Sequence, residues 1–246
     1  MKLARFRYQN NIKLGVVKDD QIYPLPAQAQ LPETMPELLN ALSDRTTRET
    51  LETLPSSVQA VPLSDVTLLA PIPAPEKFIG VGLNYADHIA ETGLETPSFP
   101  TLFNKQSSCV IGPDDAIHRP RVSEKLDYEG ELALVIGKTC RHVPYDQAHK
   151  VIAGYTIVND VSIRDWQIKA PTWTLGKSFD THGPIGPYLV TPDEVGDPHA
   201  LEIRCLVNGE ERQRSNTRHL IFDCYDAIAH LTQAFTLDPG DVLFMG

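Results

Sequence analysis

The stretch EKLDYEGELALVIGK, residues 124 to 138, restricts the fold more than any other. Its ELALVIG run reads as a β-strand, and residues two apart on a strand share a face. Leu132, Leu134 and Ile136 make one apolar, core-facing side. Glu129 and Glu131 fall together on the other. Two like charges side by side destabilise a strand. A fold that keeps this strand must place something between the carboxylates that offsets their repulsion.

A third carboxylate is at hand. The next strand, YTIVND, ends in Asp160, and functional groups collect at strand ends and the loops after them. Three convergent carboxylates repel unless protonated or bridged by a cation. Oxygen-only donors suit Mg²⁺, Mn²⁺ or Ca²⁺ rather than zinc. On spacing alone, an E-x-E strand is more often a solvated surface strand, so both readings stay open.

The rest of the chain frames this strand. LARFRYQNNIKLGVVKDDQIYPL alternates apolar and polar residues around NN and KDD, which predicts a small antiparallel meander. MPELLNAL predicts a short helix with Pro36 in its first turn. Residues 45 to 65 are polar with little period. PIPAPEKF, 71 to 78, is an extended proline-dense linker. The expected division is a small N-terminal α/β domain over 1–70 and a larger domain over 71–246. In the larger part FIGVGLN, ELALVIG, YTIVNDVS, GPIGPYLVT and LEIRCLV read as strands, and Asn208-Gly209 marks a hairpin. YADHIAE predicts a short helix ended by Gly93. YDQAHKVIAG predicts a helix stopped by Gly154. FDCYDAIAHLTQAF predicts one capped by Asp223, with Ile228, Leu231 and Phe235 at helical spacing. DVLFMG reads as a strand that stops at its own last residue, so the natural chain is expected to continue past Gly246. The fold class is α+β, mainly β.

Composition excludes several functions. With 41% hydrophobic and 22% charged residues, the chain can bury a real core. A net charge of −10 without a basic run argues against nucleic acid. No apolar run approaches the length of a membrane span, and MKLARFRYQNN lacks the apolar centre of a signal peptide. Cys109, Cys140, Cys205 and Cys224 form no C-x-x-C pair, so free thiols in a reducing, cytoplasmic setting are expected.

Further polar candidates lie elsewhere. In NYADHIAETG, His88 and Glu91 are three apart and share a helix face. A carboxylate on one imidazole nitrogen raises the basicity of the other, which suits a general base for water. The bland alternative is an exposed pair of little consequence. GVGLNYA starts like a dinucleotide fingerprint, but its third position is Tyr85 and no long helix follows, so a Rossmann reading fails. Lys177 and Gln167 lie in the polar run RDWQIKAPTWTLGKSFDTHGPIGP. They can meet a substrate oxygen or be ordinary surface residues. Trp166 and Trp173 more often pack. Ser107 and Ser108 lack the G-x-S-x-G elbow of a hydrolase nucleophile.

These signals occur in one order: GLNYADHIAE, FNKQSSCVIGP, YEGELALVIGK, GYTIVNDVSIRDWQ and LGKSFDTHGPIGP. Over residues 77 to 246 this resembles the fumarylacetoacetate hydrolase family, and the first 70 residues resemble the small variable domain of some members. The resemblance implies a mixed β-sandwich roll, a homodimer, and Mg²⁺ or Mn²⁺ (or Ca²⁺) on Glu129, Glu131 and Asp160. It implies a His88–Glu91 dyad, an active-site Lys177, and substrate contacts from Gln167 and Tyr85. The implied substrate is a small 2-oxo acid. The implied reaction is hydrolysis of a C–C bond in a 2,4-dioxo acid: water activated by His88 attacks the 4-carbonyl and Lys177 stabilises the oxyanion. Decarboxylation of oxaloacetate-like acids, isomerisation of 2-oxo-enoates and silent binding of a small acid remain alternatives. Members usually continue with a Thr-Gly-Thr-Pro-type loop that this chain, ending Met245-Gly246, does not include.

Overall fold

The computed structural model describes residues 1–93 and 95–246, apart from the side chains of Glu91 and Thr92. Strands β1 (Lys2–Tyr8), β2 (Asn11–Lys18) and β3 (Gln21–Pro24) form the expected meander. Gln9 and Asn10 both take positive φ, 49° and 64°, as a tight primed hairpin turn requires. Helix α1 (Met35–Ala41) carries Pro36 in its first turn.

The polar stretch that follows is a helix, α2 (Arg45–Ser57), not the irregular segment its composition suggests. Only Leu51 and Leu54 are buried on it, too few to show a period. Asp44 caps it by accepting from the Thr47 N–H at 2.8 Å. Arg45–Glu49 and Arg48–Glu52 add i,i+4 pairs on its exposed side. Local electrostatics and two leucines hold what periodicity does not announce.

Residues 71–77 carry neither strand nor helix. Beyond them come β4 (Phe78–Gly82), α3 (Ala86–Thr92), β5 (Thr101–Asn104), β6 (Gly130–Ile136) and β7 (Ile152–Asn159). Two single-turn helices follow, α4 (Arg164–Gln167) and α5 (Thr174–Lys177). The chain continues through β8 (Gly183–Val190), β9 (Glu202–Val207), β10 (Glu210–Asn216), α6 (Cys224–Ala234) and β11 (Val242–Phe244). Tyr145–Lys150 is a 3₁₀ turn rather than the expected α-helix, because only a few residues separate Pro144 from β7. In α6, Asp223 and Asp226 form a capping box, and Ile228 and Leu231 are buried. Phe235, expected on the same apolar face, lies just past the helix and is partly exposed.

One mixed sheet runs β3-β2-β1-β8-β7-β6-β11-β4-β5. Along this order it is antiparallel except where β11 lies parallel to β4, and the short Val110–Ile111 strand also pairs parallel with β8. β1 pairs with β8 through Lys2–Val190 and Leu3–Leu189, so the N-terminal meander extends the same sheet. β9 and β10 form a separate hairpin across Asn208-Gly209. Among the described residues no helix is long and apolar enough to cross a membrane. All four cysteines are free; Cys109 and Cys224 are buried.

β6 explains the core. Leu132, Leu134 and Ile136 pack with Ile228 and Leu231 of α6. Ala133 and Val135 pack on the opposite side with Leu3, Leu38, Leu51, Phe78 and Phe244. Both faces of this strand are therefore covered, which the simple two-faced reading of it did not foresee. Each buried leucine contributes about 1.5–3 kcal/mol of transfer free energy. Glu131 sits on the face that continues as Ala133 and Val135, at the end where the core opens. Gly80 and Gly82 of the rejected fingerprint are there for packing: a Cβ would lie 2.4 Å from the rings of Phe103 and Phe244 at Gly80, and 2.5 Å from Trp173 at Gly82.

His182 adds a pH dependence. It is fully buried, its Nε2 lies 3.0 Å from the His118 carbonyl oxygen, and its Nδ1 has no partner among the described residues. That bond assigns the proton to Nε2. Burial lowers its pKa below the ordinary 6.5. Above that value neither state is charged, and the group is neutral in its effect. As pH falls below it, the unfolded chain takes up a proton that the folded chain resists, and stability drops. The denaturation midpoint should fall between about pH 7.5 and about pH 5.5, and fall less in His182→Gln. Equal pH sensitivity in the two proteins would contradict this assignment.

Candidate active site

The antiparallel register of β6 and β7 creates the acidic cluster. Gly130 pairs with Asn159 and Glu131 with Val158, so the start of one strand lies beside the end of the other. Glu129 precedes β6 by one residue, and its carbonyl accepts from the Asp160 N–H at 2.8 Å. Glu129, Glu131 and Asp160 thereby offer one carboxylate oxygen each within 4.8 Å of one another. Gln213 of β10 braces this corner: its amide accepts from the Gly130 N–H at 2.9 Å and donates to the Gly130 carbonyl at 2.7 Å.

Cations surround the cluster unevenly. Lys177, in the last turn of α5, places Nζ 2.5 Å from both Glu129 Oε2 and Asp160 Oδ2. Lys105 Nζ, also buried, lies 2.7 Å from Asp160 Oδ1 and 3.3 Å from the Val161 carbonyl. Arg164 donates to Glu129 at 2.9 Å, to Asp127, and to Gln167 Oε1 at 3.0 Å. Burial alone would raise Glu129, but Lys177 and Arg164 outweigh it and hold its carboxyl near 2. Glu131 fares differently. It is buried, makes no salt bridge among the described residues, and accepts from the Gly246 N–H at 2.5 Å. Burial first, then Asp160 and Glu129, push its carboxyl well above the usual carboxylate range.

That asymmetry fits a hard cation. Oxygens on opposite sides of an ion bound at about 2.1–2.4 Å stand about 4–5 Å apart, which this cluster can span. All three donors are carboxylates, so Mg²⁺, Mn²⁺ or Ca²⁺ suits them and zinc does not. A cation bound there would remove the repulsion that raises Glu131.

The carboxylates form one wall of a cavity of about 550 Å³. Tyr85, His88, Gln167 and Lys177, each expected at a site from sequence, line it too. The Tyr85 hydroxyl is buried without a partner among the described residues, and burial and Glu131 keep it protonated above the usual phenol range. It is a protonated hydroxyl in the lining of the cavity. His88, on α3, is exposed and is one of the residues that line the cavity. The side chain of Glu91, its expected dyad partner, lies outside the described residues. Phe103 and Trp173, 5.6 Å apart, make an apolar wall, and the Phe103 ring lies 5.0 Å from Lys177 Nζ. Gly176 lets α5 seat against α4: a Cβ there would lie 2.3 Å from the Gln167 nitrogen. Leu83 and Trp173 line the cavity with positive φ, 56° and 58°, a local strain of about 1–3 kcal/mol each.

Sequence reasoning missed Lys105, Arg164 and Gln213. Arg164 had a signal, since it stands three residues before Gln167 on one helical turn. Lys105 stands in FNKQSSCVIGP, one of the segments that carry the resemblance, but nothing in that segment points it at Asp160; Gln213 had no signal, because only the folded chain brings it to Gly130.

Comparison with known proteins is consistent along the whole chain. Residues 77–246 match the family described as Fumarylacetoacetate (FAA) hydrolase C-terminal, and residues 1–71 match Rv2993c-like, N-terminal. An oxaloacetate tautomerase, Fahd2a, mitochondrial, of Rattus norvegicus is 44% identical over 217 residues, 88% of this chain and 69% of that protein. A maleylpyruvate hydrolase from Sphingobium sp. SYK-6, solved with manganese(II) and pyruvate, superposes with a TM-score of 0.86 at 32% identity, covering 100% of this chain and 88% of that one. A 5-carboxymethyl-2-hydroxymuconate delta-isomerase from Mycobacterium smegmatis gives 0.80 at 35% identity with the same coverage.

Proposed function

The chain belongs to the fumarylacetoacetate hydrolase family, and from that premise we propose that it is a divalent-metal-dependent enzyme that interconverts the keto and enol forms of a 2-oxo dicarboxylic acid of the oxaloacetate type. The observation that carries this is the 44% identity, over 88% of the chain, to an oxaloacetate tautomerase. The cavity supports it with an acidic cluster beside cationic and phenolic donors.

In this reading Glu129, Glu131 and Asp160 hold Mg²⁺ or Mn²⁺. When bound, the ion supplies a Lewis acid and a template for a 2-oxo carboxylate. Arg164 and Gln167 bind a substrate carboxylate at the same end of the cavity. Lys177 keeps its proton, because Asp160 and Glu129 more than offset its burial. Its ammonium faces the C2 oxygen and favours the negative charge that develops there. His88 removes the C3 proton from the keto form and passes it to solvent, the electron pair moves to the C2 oxygen, and that oxygen takes up a proton from solvent to give the enol. The return path delivers a proton to C3. Phe103 and Trp173 exclude water from one side, which limits competing hydrolysis.

The second reading is the C–C hydrolysis expected from sequence, in which His88 activates water instead. The exposure of His88, within reach of water in the cavity lining, supports it, as does the likeness to a maleylpyruvate hydrolase. A paired assay separates the two. Oxaloacetate and acetylpyruvate are offered with Mn²⁺, and products are identified. Faster enol decay with oxaloacetate conserved supports the tautomerase reading. Release of pyruvate with acetate from acetylpyruvate supports hydrolysis instead, and pyruvate with CO₂ from oxaloacetate marks a decarboxylase.

A further inference from the structure

We propose that Asp87 is a positioning residue, a latch that ties the helix bearing His88 to the β9–β10 hairpin and so sets where His88 stands relative to the acidic cluster. The proposal rests on the functional role given above to His88.

Helix α3 has seven residues, too few to hold itself in water. Of its described side chains only Ile89 is buried. Its approach is fixed by Asn84, whose amide donates to the Phe222 and Met245 carbonyls at 3.0 and 2.9 Å and accepts from the Phe222 N–H at 2.9 Å. The Asn84 carbonyl also accepts from the Ile221 N–H at 2.8 Å. Those bonds stop before the helix starts. Inside it, Asp87 makes the connection. Its Oδ2 accepts from Ser215 Oγ at 2.6 Å and stands 3.1 Å from His219 Nδ1, while its Oδ1 accepts from the backbone N–H of His88 at 3.0 Å.

The strand that supplies Ser215 is clamped a second time, to the acidic corner. Gln213, two residues earlier on β10, makes both amide bonds to Gly130, which lies between Glu129 and Glu131. A continuous path therefore runs from the carboxylates through Gly130, Gln213, Ser215 and Asp87 to His88. Two residues apart on a strand, Gln213 and Ser215 project from one face, so a single strand face spans both clamps. Asp87 also lines the cavity, but its carboxylate oxygens are taken up by Ser215, His219 and the His88 backbone, so its role is to position rather than to react.

The test compares Asp87→Ala, Ser215→Ala and Asp87→Asn with wild type, and repeats Asp87→Ala in a His88→Ala background. Hydrogen exchange over residues 84–90 should quicken by at least about fivefold in Asp87→Ala. Turnover number should fall by about ten- to a hundredfold, while KM and Mn²⁺ affinity stay within about twofold. Ser215→Ala should show a smaller effect of the same kind, and Asp87→Asn, which keeps one acceptor oxygen, should recover part of the loss. In the His88→Ala background Asp87→Ala should change turnover no further. Unchanged exchange in Asp87→Ala overturns the latch, and so does a loss of turnover that adds in full to that of His88→Ala. If His88→Ala alone leaves turnover intact while Asp87→Ala still loosens the helix, the role of His88 fails and the latch stands.

Discussion

Glu131→Ala is expected to lose metal-dependent turnover and to bind divalent ions more than about a hundredfold more weakly, beyond the usual loss for a residue behind a ligand. The reason is the uneven charge around the cluster. Glu129 and Asp160 already pair with Lys177, Lys105 and Arg164, whereas Glu131 makes no salt bridge among the described residues, and burial, Asp160 and Glu129 outweigh the pull of Lys177 on it. Glu131 is thus the side chain with most to gain from a cation. Glu131→Gln gives the complementary result. It removes a buried acid raised by burial and by two neighbours, so without metal it should melt at or above wild type while remaining inactive. Thermal melts with and without Mn²⁺, and a calorimetric Mn²⁺ titration, check both variants. Wild-type affinity and turnover in Glu131→Ala would remove this residue from the site.

Lys177→Met should lower turnover by about 10²–10³-fold, the range for removing one donor to a developing oxyanion. Stability should suffer as well. Lys177 is buried against Glu129 and Asp160, and breaking a buried pair from one side costs about 3–5 kcal/mol. The metal should then act differently on the two proteins. It restores positive charge that the variant has lost, so Mn²⁺ should raise the melting temperature of Lys177→Met more than that of wild type. Lys177→Arg should not rescue turnover, because a planar guanidinium cannot enter the space of an ammonium 2.5 Å from two carboxylates. Stability and turnover close to wild type in Lys177→Met would place this lysine outside the chemistry.

Much of this arrangement was legible in the sequence, and the physical reasons differ by residue. Alternation along ELALVIG gave the strand. The separation of its two apolar sets into two cores could not be read, because it depends on α6 and the N-terminal helices covering opposite faces. Glu129, Glu131 and Asp160 were legible as a set because strand ends carry them, and the β6–β7 register brings them together. Asp223 announced the cap of α6, whereas α2 was illegible because two leucines in a polar helix leave no period. Lys105 was not singled out within FNKQSSCVIGP, because only the pairing of β4 with β5 brings it to Asp160. Asp87 was hidden for the same reason: its partners lie 128 and 132 residues away.

The most direct measurement is the decay of the oxaloacetate enol with the wild-type chain, first with Mn²⁺ and then after EDTA, each against an enzyme-free control. The account predicts acceleration over the Mn²⁺ control, its loss on chelation, and its return when Mn²⁺ is restored. Acceleration that survives chelation, or none above the Mn²⁺ control, would contradict it.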